Sequence, residues 1–163
     1  MPDWQQIVDD QGPAAYRIAH RILGNAADAQ DVCQDVFTEV FRMLGSRDVV
    51  NLPGLVRRLA SLRAVDQLRK RKATVFLNEE LAACEVAGPQ ELAVANELAE
   101  RLRKALAQLP EQQAAVFALR HFEHLSNAEI AAALDTSQSA VSTALSKARE
   151  RLARLLHHQQ TEM

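Results

Sequence analysis

Residues 126–155, SNAEIAAALDTSQSAVSTALSKARERLARL, constrain the fold more than any other part of the chain. Ser126 stands three residues before Glu129, the spacing of a capping box, which predicts a short helix over 127–134. Asp135-Thr136-Ser137 interrupts the apolar pattern with turn-forming residues, and Ser137 can cap a second helix. In that second helix Val141, Leu145, Ala148, Leu152 and Leu155 recur at steps of four and three and form one apolar stripe. The opposite face opens with Gln138, Ser139, Ser142, Thr143 and Ser146 and continues with Lys147, Arg149, Arg151 and Arg154. A capped short helix, a three-residue turn and a long polar-faced helix make a helix-turn-helix. Its second helix suits a DNA major groove, with short hydrogen-bonding side chains at base edges and cations at phosphates. An amphipathic pair in an ordinary bundle would share the periodicity but has no need of the whole layout.

Leu and Ala dominate over β-branched residues, and five Gly and five Pro in 163 residues leave long stretches unbroken. That favours an all-α chain, long enough for one domain or two small ones. Asp3, Asp9 and Asp10 interrupt any apolar run at the start, so no signal peptide is expected, and no stretch is long enough to span a membrane. A cytoplasmic location is expected. Cys33 and Cys84 stand apart, outside any CxxC or Cys/His cluster, and predict neither zinc nor a disulfide framework; Cys33 reads as a buried thiol. His20, His121, His124, His157 and His158 have no carboxylate or Cys arranged around them in sequence. With no Gly-rich phosphate loop and no nucleophile motif, the chain is expected to hold no metal or cofactor and to catalyse nothing itself.

The formal net charge of −2 conceals a strong segregation. Residues 51–72 carry seven basic side chains against Asp66 alone, and 137–163 carry four against two acids. Residues 1–50 and 73–136 are net acidic. Phosphate contacts are local, so the two basic stretches, not the total, indicate an anionic partner.

Along the chain, the pattern predicts helices over 13–23, 27–44, Pro53 to Lys72, about Gln90 to Gln108, and Pro110 through Phe122, ahead of the helix-turn-helix. The second would bury Val32, Cys33, Val36, Phe37, Val40, Phe41 and Leu44 and expose Asp28, Asp31, Gln34, Asp35 and Glu39. The third would turn Leu55, Leu59, Leu62, Val65 and Leu68 inward, and Gly45 to Asn51 would form a polar loop before it. Residues 73–89 lack a sustained period and end in Gly88-Pro89, as an interdomain linker would.

Two blocks resemble the extracytoplasmic-function (ECF) group of bacterial RNA polymerase sigma factors. AYRIAHRILGNAADAQDVCQDVFTEVFRML is similar to the start of the family's region 2, whose D-x-x-Q-[DE]-x-F core matches Asp31, Gln34, Asp35 and Phe37; LVRRLASLRAVDQLRKRK resembles the helix after it. LPEQQAAVFALRHFEHLSNAEIAAALDTSQSAVSTALSKARERL resembles region 4. The resemblance implies two small helical domains, a region 2 bundle of three or four helices over 1–74 and a region 4 helix-turn-helix over 90–163, joined by a linker over 75–89. It implies core RNA polymerase and promoter DNA as partners, together with an anti-sigma factor.

On that resemblance Asp28, Asp31, Gln34, Asp35 and Glu39 would dock on the polymerase. Arg47, Asn51, Arg57, Arg58, Arg63, Arg69, Lys70 and Arg71 would engage the −10 element, and Arg120, Ser137, Gln138, Ser139, Ser142, Thr143, Ser146, Lys147 and Arg149 the −35 element. The basic residues usual in the family near Ser142 and Ala144 are absent, which implies a weaker phosphate grip from this helix. A stand-alone helix-turn-helix regulator would account for 137–155 but leave the acidic helix without a role. A protein-binding adaptor is a third reading.

Overall fold

A computed structural model describes residues 3–82 and 90–161, with side chains placed for 3–71 and 94–158. The described residues form α1 (Trp4–Leu23), α2 (Ala26–Ser46), α3 (Leu52–Ala82), α4 (Gln90–Ala107), α5 (Glu111–His121), α6 (Asn127–Leu134) and α7 (Gln138–Thr161), and contain no strand.

α1 begins at Trp4, well before the start expected at residue 13. The Asp3 carboxylate accepts the Gln5 N–H at 3.1 Å and starts the helix. Ile7 then extends the buried stripe of Ala15, Ile18, Ala19 and Ile22. Pro13 lies inside α1, so packing of that stripe outweighs the hydrogen bond a proline forfeits. Gly24 ends the helix at φ 80°, its N–H donating to the His20 carbonyl.

α2 starts under the Asn25 side chain, which accepts the Asp28 N–H at 2.8 Å, and buries Ala29, Val32, Val36 and Val40. Phe41, expected inside, is 62 % exposed, while Cys33, Phe37 and Leu44 are half-buried. The contacts on α1 and α3 follow the four-residue row of valines, and Phe41 lies one helical step beyond it.

α3 begins where the Asn51 side-chain oxygen accepts the Gly54 N–H at 3.1 Å, with Pro53 in the first turn. Its buried positions are Gly54, Val56, Leu59, Ala60, Ser61, Ala64, Val65 and Leu68, while Leu55 and Leu62, expected to face inward, are only half-buried. Those positions cover roughly half the circumference at 3.6 residues per turn. Ser61 Oγ satisfies itself on the Arg58 carbonyl at 2.9 Å. The helix continues to Ala82, past the end expected at Lys72, since residues 73–82 contain neither Gly nor Pro. Of the linker expected over 75–89, residues 83–89 lie outside the described residues.

α1, α2 and α3 pack mutually as one bundle, and α5, α6 and α4 pack on α7 as another. α3 belongs to both, touching α4, α5 and α6 as well as α1 and α2. The buried apolar cluster is consequently continuous from Ala15 to Leu152.

Within the second group, Ser126 Oγ accepts the Glu129 N–H and Glu129 Oε1 accepts the Ser126 N–H, both at 3.1 Å, completing the capping box. Asp135 takes the left-handed turn position at φ 54°, and Ser137 Oγ caps α7 by accepting the Ala140 N–H at 3.1 Å. Ile130, Ala131, Ala133 and Leu134 of α6 are buried along with Val141, Leu145, Ala148 and Leu152 of α7. Ser126→Ala should cost about 1 kcal/mol, seen as a lower denaturation midpoint with an unchanged slope. An unchanged midpoint would show that the box does not hold α6.

Candidate nucleic-acid interface

Three surfaces are built on this frame. The first is the outer side of α2. Asp31, Gln34 and Asp35 are exposed there along one face, opposite the buried valines. Glu39 and Asp28, expected to complete the acidic row, are tied inward: Arg63 donates twice to Glu39 Oε2, and Arg71 to Asp28 Oδ2. Burial raises the Asp28 pKa, but hydrogen bonds from Asn25 and Arg71 and the Arg71 charge outweigh it, leaving the carboxyl below its usual range. Beside the row lies an aromatic shelf that sequence reasoning missed. Trp4 meets Phe41 edge-on at 5.1 Å and Phe37 at 6.2 Å, in a shallow groove shared with Gln34, Thr38 and Arg42. The signal was present in the lone Trp near the start, but it required knowing that α1 reaches that far.

The second surface lies between α2 and α3, where the side chains of Arg47, Arg58 and Arg63 surround Met43, Leu55, Leu59 and Leu62. Where the loop alone offered only hydrogen-bonding groups, the fold adds an apolar floor with guanidinium groups on its rim. Glu39 and, from α5, Glu111 also line this groove. Next to it a polar groove holds Asp35, Thr38, Arg42, Asp66, Gln67 and Lys70.

The remaining cations of α3 are largely engaged internally. Arg69 donates to the Ala107 and Leu109 carbonyls at 3.3 and 2.5 Å, and Arg71 donates to the Leu23 carbonyl at 2.9 Å as well as to Asp28. Arg57 is half-buried, with its Nε lacking a partner. Lys70 lies 3.8 Å from Asp66. Of the cations assigned to the −10 element, Arg47 and Arg58 are the exposed pair beside the loop; Asn51 is exposed but its side-chain oxygen caps α3.

The third surface is the free face of α7. Ser137, Gln138, Ser139, Ser142, Thr143, Ser146, Lys147 and Arg149 are all exposed and share it. Arg120 is half-buried and donates to the Leu125 carbonyl at 2.9 Å, bracing the turn into α6. Arg149 Nη2 lies 3.4 Å from His121 Nε2, and the His121 ring lies against Phe117 with centroids 4.3 Å apart. Burial, then the charges of Arg149, Arg120 and His124, depress the His121 pKa below its usual 6.5. Among the described residues no group of His, Cys, Asp and Glu could hold a metal ion, and no helix is long and apolar enough to cross a membrane. Cys33 is half-buried and free, its pKa raised by burial.

Known proteins match this arrangement block by block. Residues 7–74 fit the family model of sigma-70 region 2, and residues 99–152 that of sigma-70 region 4. The chain is 28% identical over 162 residues to the ECF RNA polymerase sigma factor SigW of Bacillus subtilis, aligning 92% of this chain with 87% of that one. It is 30% identical over 151 residues to the RNA polymerase sigma-E factor of Streptomyces avermitilis, aligning 92% with 83%. The sigma factor RpoE of Bartonella quintana, solved in complex with the anti-sigma factor NepR, has the same fold: TM-score 0.55, 20% identity, 96% of this chain and 98% of that one covered. An all-helical chain with these two blocks in this order is a sigma-70-class protein. Within that class, it belongs to the ECF family of RNA polymerase sigma factors.

The depressed His121 pKa carries a stability signature. As pH falls, the unfolded chain takes up this proton before the folded one does. The contribution is therefore complete above about 6.5 and lost as pH falls through the folded value. Between about pH 7 and pH 5, stability should fall more steeply in the wild type than in His121→Gln, as read by denaturant titrations at several pH values. Parallel curves would show that burial and the neighbouring cations together do not depress the His121 pKa.

Proposed function

We propose that this chain selects promoters for a bacterial RNA polymerase by binding, leaving all chemistry to the polymerase, and that it works in the cytoplasm. The family supplies the framework. The observation that carries the assignment to particular residues is that one chain presents, on separate rigid helices, an acidic α2 face, an arginine-rimmed groove, and a fully exposed reading face on α7.

In this reading Asp31, Gln34 and Asp35 dock on a basic helical surface of core polymerase. Opposite charge steers such an encounter and fixes its register. The groove edged by Arg47, Arg58 and Arg63 takes the −10 region as melted strand, its apolar floor receiving a base and its guanidinium groups the backbone. Gln138, Ser139, Ser142, Thr143 and Ser146 read the −35 duplex, and Lys147 and Arg149 hold its phosphates. Since the Bartonella relative was solved with an anti-sigma factor, an inhibitor of the same kind is proposed for this chain. Run-off transcription by core polymerase supplied with this protein tests the whole reading: a promoter-dependent transcript is expected, and its absence across a library of promoters overturns it.

Two further outcomes test the surfaces. Replacing Asp31 and Asp35 with Lys should weaken core binding by about 2 kcal/mol, roughly thirtyfold, in competition with another sigma factor. Equal competition would remove α2 from the interface. On α7, Gln138→Ala should change the preferred base at one −35 position, whereas Lys147→Ala should weaken all sequences alike. A binding selection in which Gln138→Ala leaves the preferred sequence intact would displace the reading face. Arg120 is a poorer probe than Lys147, because it also braces the Leu125 turn.

A further inference from the structure

We propose that His121 is a further contact for the duplex that α7 reads: with Arg149 it clamps one DNA phosphate, and the clamp closes by taking a proton from solvent. This deepens the promoter-selecting role above and rests on its placement of α7 against a duplex.

The pair is built from two elements. His121 is the last residue of α5, Arg149 lies midway along α7, and both are exposed. Arg149 Nη2 is 3.4 Å from His121 Nε2. A guanidinium cannot accept a hydrogen bond, so this contact is attractive only while Nε2 is bare and the ring proton sits on Nδ1. Phe117, one turn earlier on α5, packs against the imidazole with centroids 4.3 Å apart and restricts its rotation. The other charges that bear on the ring are cations too. Arg120 precedes it on α5, and His124 follows in the turn before α6, at a left-handed φ of 55°. Arg120 is half-buried and donates to the Leu125 carbonyl, which leaves Arg149 as the exposed arginine of the group. Glu123, the acid nearest in sequence, is held by Arg17 and Arg21 of α1.

Such a cluster recognises an anion. A phosphate placed between the two side chains accepts from Arg149 through one oxygen and from a protonated Nε2 through another. The like charges that keep the ring neutral in the free protein then share a counter-charge, and the imidazolium becomes the stable form. One proton enters from solvent at Nε2, while Nδ1 keeps its own. The surroundings make that anion a backbone phosphate. Residues 138–149 include no acid, and Lys147 and the hydrogen-bonding side chains Ser142, Thr143 and Ser146 are exposed beside Arg149. The sign follows from linkage. Burial, then Arg149, Arg120 and His124, hold the free ring below its usual 6.5, and the phosphate raises it. Duplex affinity therefore grows as pH falls through the bound value and levels off below the free one. A shift of about one unit limits the gain to about tenfold.

The test uses the full chain and a DNA duplex of arbitrary sequence carrying a pH-insensitive dye, at low salt, since every sequence offers the same phosphates. From about pH 8 to about pH 6, wild-type affinity should rise about threefold to tenfold more than that of His121→Gln. His124→Gln should keep the wild-type gain. His121→Arg supplies a permanent cation and should bind about threefold or more tighter than wild type at about pH 8, where acid unfolding plays no part. Followed by NMR, the His121 imidazole should titrate about one unit higher in the duplex complex than in the free protein. Circular dichroism at each pH checks folding. Equal profiles for wild type and His121→Gln overturn the clamp, as does an imidazole titration that the duplex does not move. Unchanged affinity in folded His121→Arg, or no duplex binding at any pH, overturns it as well. A gain lost in His124→Gln but kept in His121→Gln places the proton on His124 and removes the assignment. Run-off transcription separates the two proposals. A promoter-dependent transcript beside equal pH profiles removes the clamp alone; proton-linked duplex binding with no transcript removes the promoter-selecting role and leaves the clamp standing.

Discussion

The packing of α3 is the constraint on which the rest of the structure depends. One side of it completes the bundle with α1 and α2, and the other receives α5 and α6. Two neighbours can approach one helix this closely only where side chains are small, and Gly54, Ala60, Ser61 and Ala64 meet that need between Val56, Val65 and Leu68. Larger residues along that line would force the halves apart, since interiors are packed to crystal-like density. The arginine-edged groove and the continuous core both take their positions from this one helix.

Charge is allocated by the same frame. The basic run of 51–72 looks in sequence like a uniform cationic helix, yet in the fold its members divide. Arg69 and Arg71 satisfy carbonyls at the ends of α4 and α1, Arg63 neutralises Glu39, and Arg58 remains beside the groove with Arg47 of the preceding loop. Guanidinium suits the internal role, because several donors on a rigid plane reach carbonyl and carboxylate oxygens together. A basic stretch therefore measures potential for phosphate contact only after its internal partners are subtracted.

The recognition half obeys a different logic. Ser126, Glu129, Asp135 and Ser137 settle the helix-turn-helix through hydrogen bonds spanning a few residues. α7 then needs only its apolar stripe to dock, which leaves the polar side chains between Gln138 and Arg149 facing outward whatever the rest of the chain does. Such local determination holds the exposed polar side chains of α7 on one regular, capped helix without help from distant contacts.

What the sequence determined by itself was whatever local chemistry decides: the all-helical class, the capping box, the turn at Asp135, the valine row of α2 and the identity of the two family blocks. The exposed acidic trio and the polar face of α7 were legible for the same reason, since helical periodicity sorts residues by face. Only the tertiary structure decided that α1 runs back to Trp4, that Phe41 joins Trp4 on the surface, and that α3 buries its alanines in place of Leu55 and Leu62. It alone paired Arg17 with Glu123, 106 residues away. These features depend on which helix lies against which, and hydrophobic pattern cannot express a helix buried on two sides or a cation whose partner lies across the molecule.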